Sequence, residues 1–232
     1  MSEQKKKKEQ VHPVVRATAI ISFLQGMTAT ALIPRVPELI NQLGLNFVEW
    51  GTLLGFIALA SLIPLIFTNQ LVLRYGTRRV ISIGGVVFAA SIGFIPWCTS
   101  AWMFALISVI QTFAGSAFNI ALQASTVIIQ KKLKRTVIGR VHAAWSIGAT
   151  SSAAISGALV AVMDFKLQFA VTAILISLSM YVMSTFLFDR DSDGRMSDQK
   201  HVEKISWLKT PPYVWLLTLG LFTGVWCESV MI

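Results

Sequence analysis

The chain has 232 residues, 54% of them hydrophobic and 13% charged, with a mean hydropathy of +0.66. Soluble domains carry about 25% charged residues, so this composition excludes an ordinary soluble fold and points to a membrane protein. The net charge of +9 falls in short blocks between apolar stretches, which excludes a basic nucleic-acid-binding domain.

Residues 1–13 form a polar, lysine-rich tail. The apolar run behind it is too long for a signal peptide and further spans follow, so an uncleaved first membrane helix is expected over 14–33, ended by Pro34 and Pro37. A second span is expected over 48–68, with Pro64 as a kink that a bundle tolerates. The third, 80–97, closes on Pro96 and Trp97, an aromatic suited to the membrane interface. The fourth, 101–129, carries Thr112, Ser116, Asn119 and Gln123 at spacings of four, three and four, which stacks them along one stripe of a helix. The fifth, 141–163, is rich in Gly, Ala and Ser, which permits close helix contact. The sixth covers 167–188. A polar linker, 189–212, separates these from a seventh apolar run, 213–232, and a chain that stops inside such a run reads as part of a longer protein.

The loops set the orientation. All of the 20 lysines and arginines except Arg35 and Lys166 fall on one side of this arrangement, which places the N-terminus in the cytoplasm. The run from Lys131 to Arg135 anchors that topology and attracts anionic lipid. No Asn-x-Ser/Thr acceptor occurs, in keeping with a bacterial inner membrane. Residues 14–188 then form a six-helix bundle of two triplets, the second inserted upside down relative to the first.

Few polar groups fall at membrane depth. Gln25 lies mid-span in the first helix as Asn119 does in the fourth, and with Gln123 they have two uses open to them: lining a cavity or bonding neighbouring helices. Glu228, deep in the seventh run, is a site for a proton or cation, or half of a buried pair. His142 is either a proton-coupling group or an interfacial histidine. Arg35 and Glu38, three residues apart, either pair or guard the outer entrance. The two cysteines and three histidines have no disulfide or metal spacing, so neither a metal nor a cofactor is expected.

The stretch N-Q-L-V-L-R-Y-G-T-R-R at 69–79 resembles the loop between the second and third helices of the major facilitator superfamily. Leu71, Arg74, Gly76, Arg78 and Arg79 match that loop in place, while Asn69 and Leu73 stand where glycine and aspartate are usual. R-V-P-E-L-I-N-Q-L-G at 35–44, F-N-I-A-L-Q-A at 118–124 and G-R-V-H-A-A-W-S-I-G at 139–148 are similar to a bacterial branch related to fucose and other sugar permeases. The resemblance implies the first six helices and the start of the seventh in a 12-helix transporter, monomeric at full length, with Arg74, Gly76, Arg78 and Arg79 as a gate between its states.

The expected function is secondary transport of a small neutral polar solute, sugar-like, by alternating access, with proton symport as the coupling to test. Gln25, Asn119, Gln123 and Glu228 are the expected cavity. An efflux transporter of the same fold is the alternative. A seven-helix receptor conflicts with the cytoplasmic N-terminus, and a retinal protein with the lack of a lysine after Lys209. An intramembrane enzyme lacks a recognisable acid and base pair around His142 and Glu228, and the chain carries no ATP-binding loop.

Overall fold

The computed structural model describes residues 3–60 and 63–188, together with Trp215 and Gly220. The chain divides into two units, 1–194 and 195–232, and the helices below all belong to the first. They are α1 (Glu3–Thr30), α2 (Val36–Leu43), α3 (Phe47–Ala60), α4 (Ile63–Tyr75), α5 (Thr77–Phe94), α6 (Ala101–Leu133), α7 (Ile138–Leu159) and α8 (Phe165–Ser184). No strand occurs among the described residues.

Among the described residues, four helical stretches are long and apolar enough to cross a membrane: Pro13–Leu43, Thr77–Trp97, Ala101–Leu133 and Phe165–Ser184. Two of the six expected spans fall short of that measure. The second is described as α3, of 14 residues, and α4, of 13, which contains Pro64; residues 61–62 between them lie outside the described residues. The fifth, α7, has the length at 22 residues, but its Gly, Ala and Ser residues lower its hydropathy. Of the seventh run only Trp215 and Gly220 are described, and Glu228 lies outside the described residues.

The prolines after the first span do more than end it. Pro34 starts a 3₁₀ turn, Ile33–Arg35, and Pro37 sits in the first turn of α2. Between them they redirect the chain into a short helix that hydropathy alone does not reveal. Gly44, at φ 64°, closes α2 in the left-handed conformation that glycine adopts at little cost. Gln42 then donates from Nε2 to the carbonyls of Pro96 (3.1 Å) and Cys98 (2.7 Å), fastening α2 to the turn between α5 and α6.

The interior has two apolar clusters. One gathers Ile21, Ile81, Phe118, Leu122 and Met180, and the other Leu39, Ile92, Ile95, Phe104 and Phe169. The outer faces are apolar as well: on α8, Ile174, Leu175, Leu178 and Tyr181 are all more than half exposed. A water-facing surface rarely carries so continuous an apolar face, whereas hydrocarbon solvates it.

Close contacts fix the helix directions. Ser22 bonds the carbonyl of Val141 and Thr30 that of Ala149, so α1 and α7 run parallel. A Cβ on Gly84 would meet Phe118 and one on Gly115 would meet Phe88, so α5 and α6 run antiparallel. A Cβ on Gly85 would meet Met180 and one on Gly93 would meet Ala173, so α5 and α8 are antiparallel too. The most extensive pairings are α1 with α7 and α5 with both α6 and α8, followed by α4 with α6 and α1 with α8.

Candidate functional site

The α1–α7 seam shows how this chain disposes of polar groups in an apolar setting. Ser152 donates to the carbonyl of Met27 and Ser156 to that of Ala31, both at 2.7 Å. Ser22 and Thr30 reach the other way, to Val141 (2.8 Å) and Ala149 (2.7 Å). Such approach needs bare backbone at the crossing. A Cβ on Gly26 would overlap the Trp145 carbonyl, and one on Gly148 the Phe23 carbonyl. Each hydroxyl thus has a protein partner, and the polar groups of the seam are structural.

Arg35 belongs to a second satisfied network. Its side chain is 4% exposed. Nε and Nη2 donate to Gln168 Oε1 (3.1 and 2.7 Å), Nη1 pairs with Glu38 at 2.7 Å, and Nη2 reaches the carbonyls of Leu159 (3.2 Å) and Met163 (2.5 Å). Gln168 passes the chain on, donating from Nε2 to Ser156 Oγ at 2.8 Å. A planar fork suits this, because guanidinium donors point in fixed directions that one ammonium cannot reproduce. Arg35 ties the end of α1 to the end of α7 and the start of α8, and its pairing with Glu38 is one arm of that tie.

The amides singled out from the sequence behave differently. Gln25 and Gln123 are partly buried and Asn119 is exposed, on two helices, α1 and α6, that pack against one another. Among the described residues none of the three side chains makes a hydrogen bond. None of the three lines the cavity of about 270 Å³ that Thr28, Ala29, Leu32, Phe88, Ile92, Ile95 and Gln111 enclose between α1, α5 and α6. Gln111 was missed in the sequence because it lies one residue before Thr112, about 100° round the helix from the stripe's first member. It is part-buried, and its amide too has no hydrogen-bond partner among the described residues. Thr28 donates back to the Leu24 carbonyl at 2.9 Å, which leaves its oxygen able to accept.

The loop between α4 and α5 turns at Gly76, whose φ of 82° is one that side-chain-bearing residues adopt only under strain. Arg74 and Arg79 are exposed beside it, Arg78 is half-buried, and Arg74 lies over the Tyr75 ring at 5.5 Å. His142 is exposed near the start of α7, next to the Val141 carbonyl that accepts Ser22. The start of α7 is held instead by Gln130, whose Oε1 accepts from the N–H groups of Val137 (2.8 Å) and Ile138 (3.2 Å). No metal-binding cluster of His, Cys, Asp and Glu occurs among the described residues.

Comparison with known proteins agrees with this helical membrane architecture. The profile of the Major Facilitator Superfamily matches residues 18–232. An uncharacterised MFS-type transporter of Yersinia pestis is 25% identical over 132 residues, which take in 57% of this chain and 34% of that protein. An uncharacterised transporter of Sinorhizobium fredii is 25% identical over 139 residues, 60% of this chain and 37% of that protein. The matches thus span little more than a third of each relative's length. No solved structure matches the chain.

Proposed function

The chain belongs to the Major Facilitator Superfamily, and from that premise we propose that its described bundle is one lobe of a secondary transporter, carrying a small neutral polar solute across the cytoplasmic membrane by alternating access. In this reading α1, α3 with α4, and α5 form one triplet, and α6, α7 and α8 form its inverted counterpart. The helix pairings support it. Exchanging the triplets turns α1 against α7 into α6 against α3 and α4, turns α5 against α6 into α8 against α1, and leaves α5 against α8 unchanged, and all of these pairs occur. Residues 213–232 would begin the second lobe, and the cytoplasm would hold the N-terminus.

One observation carries the proposal: Gln25, Gln111, Asn119 and Gln123 have no side-chain partner among the described residues, on helices otherwise suited to hydrocarbon. An amide left unpaired in an apolar medium costs a few kcal/mol, so these groups require water or a solute. Thr28 adds an acceptor. No acid occurs anywhere from Trp50 to Met163, which fits an uncharged ligand with hydroxyl or amide groups. The resemblance of 35–44, 118–124 and 139–148 to sugar permeases is in keeping with that chemistry. Proton coupling would fall to Glu228 or His142, and the Arg74–Gly76–Arg78–Arg79 loop would gate the cytoplasmic side.

Thiol accessibility tests the cavity. In a chain carrying Cys227→Ser, the variants Asn119→Cys and Gln123→Cys are expected to react with an impermeant maleimide from at least one aqueous side. Saturating solute should then slow the labelling. Cys98 stays silent as background, since it is fully buried and burial pushes its thiol up, leaving little thiolate at neutral pH. If neither cysteine reacts from either side, the amides are packing groups and the cavity reading fails.

A further inference from the structure

A second cavity, of about 530 Å³, lies on the outside of the bundle between α4, α5 and α6, away from the unpaired amides. Gly84, Ala114 and Ala117 contribute little side chain to it, while Ile83 and Phe113 are exposed along it. Its lining is apolar throughout, and at one end the apolar parts of Tyr75 and Arg79 flank the turn at Gly76. From Arg79 to Val87 the groove follows α5 for about 12 Å at the rise of an α-helix. An apolar slot with a cation at the membrane interface has the amphipathic pattern of a phospholipid, with acyl chain and phosphate at matching depths.

Charge decides which phospholipid. The helices that form the groove contain no acid, nor does any residue from Trp50 to Met163, whereas Arg74, Arg78 and Arg79 cluster within six residues. Arg74 lies over Tyr75, and Arg79 is exposed at the mouth of the groove. With no carboxylate on those helices to complement it, the anion that fits is the phosphate of a lipid whose headgroup carries net negative charge. We propose that this groove is a specific site for an anionic phospholipid, its phosphate on Arg79 and one acyl chain laid between α5 and α6. The site needs only that the chain sits in a bilayer. It is independent of any transported solute.

The test is lipid titration of the delipidated full chain, followed by native mass spectrometry, with dioleoylphosphatidylglycerol against dioleoylphosphatidylcholine. Phosphatidylglycerol is expected to bind about tenfold more tightly, because its headgroup lacks the choline cation that in phosphatidylcholine offsets the phosphate's attraction to Arg79. Arg79→Gln should bring the two lipids to parity. Ile110→Trp, which fills the groove from an exposed position, should weaken both. Arg135→Gln, in the basic loop after α6, should leave the preference intact, and unchanged melting and elution will show that each variant is folded. Inorganic phosphate at the same concentration should not displace the lipid. The proposal is overturned if Arg79→Gln keeps the preference, if phosphate alone competes, or if Ile110→Trp binds lipid as before. It is equally overturned if Ile110→Cys cross-links two copies of the chain while no lipid is retained.

Discussion

Helix α1 presents two faces whose polar residues are treated in opposite ways. Toward α7, Ser22 and Thr30 donate to carbonyls of that helix while Ser152 and Ser156 donate back, and glycines at positions 26 and 148 leave bare backbone where a Cβ would overlap the facing carbonyl. Toward α5 and α6, Thr28 borders an open cavity with Gln111, and Gln25 one turn below makes no side-chain bond among the described residues. Each polar group in an apolar solvent needs a partner. Where the protein supplies it, the group holds the fold, and where it does not, the group is left for water or a solute.

The comparison breaks most completely at the seam. Gly148→Leu is expected to separate α7 from α1, because the new side chain meets the Phe23 backbone rather than a movable side chain. Overpacking of a core costs about 1–3 kcal/mol, and a rigid backbone neighbour puts this change at the upper end or beyond. Loss of the monodisperse peak on size-exclusion chromatography after mild heating would show it. Gly157→Ala is the control on the same helix, since its nearest neighbours are Pro34 side-chain atoms at 4.0 Å. Equal loss from both variants would mean that the crossing at Gly148 does not control stability, since both changes raise helix propensity.

Arg35 comes next. Arg35→Met leaves Gln168 Oε1 and the Met163 carbonyl without their donor, while the Leu159 carbonyl keeps the N–H groups of Val162 and Met163. Losing hydrogen bonds to a buried charge costs about 2–3 kcal/mol, to be read as a fall in apparent melting temperature. Arg35→Lys should recover only part of that, because an ammonium does not reproduce the fork. Glu38→Gln should cost less than about 1 kcal/mol, the Glu38 side chain being 46% exposed. A larger loss from Glu38→Gln than from Arg35→Met would show that the ion pair, and not the tie to α7 and α8, is what matters.

These two networks also mark what the sequence could and could not disclose. Hydropathy marked the long helices, and the four-three-four spacing put Asn119 and Gln123 on one stripe of α6, because both signals are local. The partner of Arg35 is not local. Gln168 lies 133 positions further on, and within the sixth span it reads as one polar residue near a helix start. The Ser152 and Ser156 bonds were hidden for a similar reason, since in a run of Gly, Ala and Ser they signal only small size. Helix α2 escaped notice because the two prolines that end one helix also suit the first turns of the next pair of elements. Gln111 was overlooked because it stands off the stripe, and only the approach of α1 and α5 makes it part of a cavity.

The smallest effects sharpen the comparison furthest, because they separate stability from function. Ser152→Ala deletes one hydroxyl bond of the seam, and such bonds between membrane helices average about 0.6 kcal/mol. Asn119→Ala removes an amide that is exposed and has no hydrogen-bond partner among the described residues, so its effect on melting should be near zero or slightly stabilising. Solute-protected labelling at Gln123→Cys reverses the order. With Ser152→Ala alongside, solute should still slow the maleimide reaction, while with Asn119→Ala the protection should be lost, because the solute would lack one of its contacts. A melting loss at Asn119 that exceeds the loss at Ser152 would mean that the amide bonds within the bundle. The two faces of α1 would then differ only in which partner each polar group had found.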